Sequence, residues 1–299
     1  MHLPQASSEL SLTQGRLCIA LAAILWSLSS AFTKFLTEVM VKDHGFSEVS
    51  ALQIAFYRVL FAGLVLVPGL RRADLSFRPA MLLMALSFAT MNALFVTAMA
   101  EGTAANAILL QYTAPMWMYL ASILWLGERA DRRSTIALFI GMLGIAVIIA
   151  GGWEGGQMTT ILIALGSGVT YAGVLIFLRV LRGLSPLWLT VWNHLLGALV
   201  LLPLLWNQPL PAWQQYVVLF LFGSIQMGLA YWLVARGLRV VSPQEAGAIT
   251  LLEPLLNPLW AYLVWSETET PPLVTYIGGA FILGALVWRY WPRGPAGRA

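Results

Sequence analysis

Cysteine is all but missing from this chain. Cys18 is the single one in 299 residues, so no internal disulfide and no thiolate-based metal site can form within it. Charge is nearly as scarce. Asp, Glu, Lys and Arg make up 10% of the sequence, against about 25% in an average soluble domain, which excludes a water-facing globular surface. A G-x-x-x-x-G-K-[ST] phosphate loop is absent, so ATP is not the direct energy source. Neither an H-E-x-x-H zinc helix nor a G-x-S-x-G elbow occurs. Nothing suggests the acidic ring of a cation channel. These absences leave no metal site, no cofactor and no enzyme class to expect.

What remains is apolar. Hydrophobic residues fill 59% of the chain. The 26 glycines and 15 prolines lie mostly inside or at the ends of apolar runs, where membrane helices tolerate them. The pI near 9.4 does not argue for nucleic acid, because the net charge is only +4 and the basic residues sit in short loops.

A hydrocarbon core about 30 Å thick takes about 20 helical residues. On that ruler ten spans run near 17–37, 50–69, 80–99, 104–126, 134–151, 159–179, 186–206, 214–235, 244–265 and 273–291. The first, built on the run Leu17 to Leu36, is too long for a signal-peptide core and has no evident cleavage site after it. With the N-terminus on one side, that side collects 14 of the 17 basic residues; the exceptions are Lys34, Lys42 and the intramembrane Arg58. This bias places both termini in the cytoplasm and the chain in the plasma (inner) membrane.

The chain also repeats itself. A shift of 139 residues lays Ala114-Pro115 on Glu253-Pro254 and Glu128 on Glu267. A shift of 135 lays Leu64–Pro68 on Leu199–Pro203, Ser50 on Ser185 and Arg58 on Asn193. The fold class expected is therefore an all-α integral membrane protein, its ten transmembrane helices forming two five-helix repeats. The parts are an N-terminal tail at 1–16, a first repeat at 17–151, a linker at 152–158, a second repeat at 159–291 and a C-terminal tail at 292–299. Five is odd, so the repeats enter the membrane from opposite sides. Many secondary transporters use such inverted repeats, with substrate near the midplane between the halves.

One stretch organises the rest. Pro243 to Glu267 is long enough to cross a bilayer, yet carries Glu253 near its middle and prolines at 254 and 258. A carboxylate at that depth costs roughly 3 kcal/mol on insertion scales. On a helix, Thr250, Glu253, Asn257 and Trp260 share one face, which should line a polar cavity. Two roles stand open for Glu253. It binds a cation or carries a proton as the cavity changes its exposure, or it is locked to an arginine or to backbone amides. Arg58, about seven residues into the second span, either clamps a substrate carboxylate or pairs with Glu253. Pro115 and Pro254 free the carbonyls of Gln111 and Thr250 as acceptors and, with Pro258, are hinge candidates.

Ten spans in two five-helix repeats, Glu253-Pro254 in the ninth span and Pro115 in the fourth resemble the EamA-like family of the drug/metabolite transporter superfamily. So do Leu25-Trp26-Ser27, Tyr57-Arg58 and Ile277-Gly278-Gly279 with Gly284. The resemblance covers about residues 15–291 and implies carrier-type transport, often efflux, of amino acids and other small metabolites. The connection Glu38 to Val49 is longer and more charged than the resemblance implies, which points to a local gate or a partner contact. The substrate-binding candidates are Glu253, Arg58, Gln111, Tyr112, Trp26, Thr250, Asn257, Asn92 and Tyr171. The expected partners are a small-molecule substrate and membrane lipids, for a monomer or weak homodimer; Gly141, Gly144, Gly278 and Gly279 mark the fifth and tenth spans for close packing or a dimer contact. Two rival readings are a non-transporting assembly subunit and a membrane-embedded lipid-modifying enzyme. The loops are too short for a soluble active site.

Topology is directly testable. Alkaline phosphatase fused after Ala299 should stay inactive in the cytoplasm, whereas the same reporter after Gly156 should be exported and active. The reverse pattern would overturn the orientation drawn from the arginines.

Overall fold

Side-chain caps decide where the early helices start. Ser11 Oγ accepts from Gln14 N at 3.2 Å while Gln14 Oε1 accepts from Ser11 N at 2.9 Å. Ser50 and Gln53 repeat this reciprocal capping box at 3.1 and 3.0 Å. Each satisfies amide groups that a helix end otherwise leaves bare.

The computed structural model describes residues 10–125, 127–154 and 156–291. Residues 1–9 and 292–299 of the expected tails, and residue 155 of the expected linker, lie outside the described residues. The described chain has ten helical segments long and apolar enough to cross a membrane. They are α1 (Leu12–Lys42), α2 (Ala51–Gly69), α3 (Ala80–Glu101), α4 (Ala104–Leu124) and α5 (Arg132–Trp153), then α6 (Met158–Val180), α7 (Pro186–Leu205), α8 (Trp213–Gly237), α9 (Glu245–Val264) and α10 (Leu273–Tyr290). No strand occurs among the described residues. The protein is an all-α, multi-pass integral membrane protein. Its helix ends carry exposed tryptophans, among them Trp125, Trp153, Trp206, Trp213 and Trp291, suited to the headgroup region.

The main departure from the sequence reading is α1. The stretch expected to leave the membrane as a loop from Glu38 continues as helix to Asp43, in π-helical form from Phe35. Lys34, Glu38 and Lys42 stand at i, i+4 and i+8 on it and pair with one another. That spacing lets charge extend a helix beyond the apolar core.

The helices pack in a pattern that maps onto itself. α5 lies along α10, α2 along α7, and α4 touches α9. α3 packs on α6 as α8 packs on α1, and α4 on α6 as α9 on α1. Exchanging each helix of the first five with its counterpart in the second five leaves these pairings unchanged, as a two-fold relation between the halves requires. Small residues allow the closest approach. A Cβ on Gly144 would sit 2.5 Å from the carbonyl oxygen of Gly278, and one on Gly278 would sit 2.7 Å from that of Gly144. Gly144 and Gly278 thus face each other across the α5–α10 seam, whereas a Cβ on Gly141 or Gly279 would meet Met116 or Leu109 of α4.

Gly278→Leu should therefore loosen the α5–α10 pair. Overpacking of this kind costs about 1–3 kcal/mol, and the unfolding temperature of the detergent-solubilised protein should fall. An unchanged temperature would mean that the two backbones do not meet here.

Candidate functional site

Besides α1, which is interrupted at Leu28, α4 and α9 break inside the membrane, and their breaks meet. The first part of α4 ends at Gln111, and a new helical segment begins at Ala114. The first part of α9 ends at Ile249, and a new one begins at Leu252. The sequence reading placed Pro115 and Pro254 inside continuous helices. Instead each lies in the first turn of a new segment, where a missing N–H leaves no intrahelical bond unmade. Pro258 alone lies within a helix.

Tyr112 closes the gap between the breaks. Its hydroxyl lies 2.7 Å from Glu253 Oε2 and 3.0 Å from the Thr250 carbonyl oxygen. The carbonyl expected to stay free for a substrate is therefore occupied by this phenol. Glu253 sits in the first turn of its segment, at the positive end of the half-helix dipole. The opposite face of that segment, Leu252, Leu255, Leu259 and Leu263, is exposed where lipid lies. Glu253 itself points inward and remains half-buried, as do Tyr112, Trp26 and Tyr171.

Arg58 is deep in α2 and fully enclosed. Phe95 and Phe222 cover its guanidinium, with Cζ 5.6 and 5.2 Å from the ring centroids. Both contacts are in cation–π range. Its Nε and Nη1 are buried without a hydrogen-bond partner among the described residues. The direct Arg58–Glu253 pair allowed by the sequence is not formed. No ion pair joins the two side chains among the described residues.

Between these groups runs an aromatic wall. Trp26 meets Tyr231 edge-on at 5.2 Å, Tyr231 meets His194 at 5.0 Å, and His194 meets Phe88 at 4.8 Å. His194 Nδ1 lies 2.7 Å from the Thr190 carbonyl. A carbonyl only accepts, so Nδ1 carries the hydrogen. Nε2 is left without a partner among the described residues, as are Asn92 Oδ1 and Asn193 Oδ1.

The remaining candidates divide. Asn92 donates to the Ala55 carbonyl at 2.8 Å, tying α3 to α2 with its oxygen left over. Gln111 is buried at the α4 break. Asn257 and Trp260 are engaged with α1: Asn257 Nδ2 donates to Ser29 Oγ at 2.7 Å, and Trp260 Nε1 donates to Ser27 Oγ at 2.8 Å. Ser30 Oγ in turn donates to the Asn257 carbonyl at 2.9 Å. These contacts fasten α1 to α9. Three features were missed by the sequence reading: the phenylalanine cage, the serine seam and Gln226, which donates to the Trp26 carbonyl at 2.8 Å. Ser27, Ser29 and Ser30 within one membrane helix were the available signal for the seam. The cage left none, because Phe95 and Phe222 look like any apolar residue.

Comparison with known proteins fits this architecture. The model of the EamA-like transporter family matches residues 13–150 and 158–290. The chain belongs to the EamA-like transporter family. This EamA-like protein is 30% identical over 281 residues to an uncharacterized transporter of Archaeoglobus fulgidus, covering 92% of this chain and 96% of the relative. It is 25% identical to the pseudopaline exporter CntI of Pseudomonas aeruginosa, over 89% of this chain and 95% of that one. A solved crystal structure shares the fold, with a TM-score of 0.62 at 16% identity, covering 93% of this chain and 98% of that one. The protein is a membrane transporter by family.

The Tyr112 contact can be weighed by a double-mutant cycle. Tyr112→Phe and Glu253→Gln should each lower stability, with a coupling of about 1 kcal/mol or more, since hydrogen bonds to charged groups are worth about 1.5–3 kcal/mol. Strict additivity of the two unfolding shifts would show that the residues do not touch.

Proposed function

We propose that the protein is a secondary active transporter that exports small amino-acid-like or other polar metabolites by alternating access. Cargo binds at the midplane between the halves, among Arg58, Glu253, Tyr112, Gln111, Trp26, Tyr171 and Asn92. It is not an enzyme, and its partners are the cargo and bilayer lipids. It acts as a monomer or weak homodimer in the inner membrane, with both termini cytoplasmic.

The observation that carries this reading is the unpaired guanidinium of Arg58. Arginine keeps its charge in proteins, and a buried cation without an acceptor is costly. A site that holds one open, its aromatic faces covered and its Nε and Nη1 unused among the described residues, is preorganised for an anion such as a carboxylate. Glu253, across the interior, supplies the opposite charge for a cargo ammonium. The two-fold pairing of the helices and the meeting of both helix breaks at Tyr112 support binding between inverted halves. The printed role of the Pseudomonas aeruginosa relative, an exporter, supports the outward direction.

Tyr112 also suggests how the drive enters. Its hydroxyl has one hydrogen but two acceptors in reach. A proton on Glu253 completes the chain, with Glu253 donating to the phenol oxygen and the phenol donating to the Thr250 carbonyl. Cargo ammonium or a proton then compete for the same carboxylate.

Purified protein in liposomes should show saturable counterflow with at least one member of a panel of radiolabelled amino acids and short aminocarboxylates. Arg58→Ala should weaken it about tenfold or more, the equivalent of one lost charged hydrogen bond. Flux that rises linearly without saturating, or that ignores both Arg58→Ala and Glu253→Gln, would refute the carrier reading.

A further inference from the structure

At the end of α1 opposite the arginine-rich face, a second set of intramembrane charges is paired rather than open. Lys34 Nζ lies 2.8 Å from Glu269 Oε1, and the two side chains are 6% and 1% exposed. The same ammonium donates to the Gly102 carbonyl at 3.2 Å and lies 3.4 Å from Glu38 Oε1. The other oxygen of Glu269, Oε2, accepts from the Ala104 amide at 2.8 Å, in the first turn of α4. One lysine thus draws together α1, the α3–α4 turn and the α9–α10 connection. The first two belong to the first half of the chain, the third to the second half. Directly beneath lies the Ser27–Ser29–Ser30 seam to Asn257 and Trp260.

The cytoplasmic end of the same helix is built differently. Arg16 pairs with Glu245 at 2.6 Å, joining α1 to α9 there, but these side chains are 49% and 31% exposed. A second pair on that face, Arg179 with Glu128, is 51% and 39% exposed. Water screens such pairs, and parting them costs little. The Lys34–Glu269 pair is dry. Separating a buried pair leaves two unsolvated charges, which is strongly unfavourable unless each finds a new partner or water.

We propose that Lys34 and Glu269 are the outer gate of the transport path and that Glu38 makes the gate reversible. With the pair closed, the exit is shut and only the cytoplasmic side opens readily. When the halves rock apart, Glu269 leaves with the α9–α10 connection and meets entering water. Lys34 keeps a counter-charge, because Glu38 travels with it on the same helix. The π-helical form of α1 from Phe35 onward lies at this hand-over, where such segments commonly sit. Lys42, 3.7 Å from the other Glu38 oxygen and exposed, competes for that carboxylate while the gate is closed.

The gate rests on the carrier reading for its purpose, but its test needs no cargo. Thr33 is buried beside Lys34, and its hydroxyl has no partner among the described residues, so Thr33→Cys in a Cys18→Ser background removes no bond. A membrane-impermeant maleimide applied from outside should label this cysteine slowly. Adding Glu269→Gln should speed labelling about tenfold or more, the factor equivalent to about 1.4 kcal/mol of lost closure. Glu38→Gln should slow it below the parent rate, because Lys34 then has no partner to accept it on opening. Lys34→Arg, which keeps a cation facing both carboxylates and the Gly102 carbonyl, should keep labelling slow, whereas Lys34→Gln should speed it as Glu269→Gln does; this second pair of variants decides the matter where Glu269→Gln fails to fold. Labelling that is the same in all variants, or equally fast in Lys34→Arg and Lys34→Gln, overturns the gate. Gated labelling without counterflow of any panel compound counts against the carrier reading alone. Counterflow with ungated labelling counts against the gate alone.

Discussion

The hydroxyl of Tyr112 is the point on which the two halves depend on each other. Lipid offers no hydrogen bonds, so a helix interrupted in mid-membrane must find partners for its freed groups within the protein. α4 and α9 are both interrupted, and the first supplies a donor at the break of the second. The phenol from the α4 break caps the Thr250 carbonyl at the α9 break and holds the Glu253 carboxyl beside it. Neither half is complete alone at this level of the membrane.

Much of the architecture could be read from the sequence, for a simple reason. Span length and the scarcity of charge are set by bilayer thickness and by the cost of burying ions, and both are one-dimensional signals. Ten apolar stretches became ten helices, and the resemblance to the EamA-like family was correct. The error at Glu38–Val49 has the same origin. The apolar ruler stops the first span at residue 37, whereas Lys34, Glu38 and Lys42, spaced four apart, pair along the helix, which continues to Asp43.

The site was legible in its chemistry and not in its pairings. Glu253, Arg58 and Tyr112 stood out because each is expensive or marked at its depth. Which of them touch is a three-dimensional fact: Glu253 took the phenol, and Arg58 took two phenylalanine faces. Pro115 and Pro254 were expected to strip bonds from residues 111 and 250 within continuous helices; the chain instead starts a new segment at each, placing both prolines where no amide hydrogen is needed. Asn257 was assigned to the cavity by its helical face. That face turns out to be shared between the interior and the serines of α1.

Two buried cations in one membrane protein show how the same penalty can be met in opposite ways. Lys34 is surrounded by two carboxylates and a carbonyl, and the cost of its charge is offset within the fold. Arg58 has aromatic faces and no hydrogen-bond acceptor at Nε or Nη1. Aromatic contact returns about 0.5–2 kcal/mol, less than the several kcal/mol that an ion loses on leaving water. A satisfied cation stabilises one arrangement of the chain, whereas an unsatisfied one stabilises whatever brings it an anion. The difference between the two residues is therefore a difference in what meets their charge: two carboxylates and a carbonyl of the same chain at Lys34, and two phenylalanine faces at Arg58, with Nε and Nη1 unpaired among the described residues.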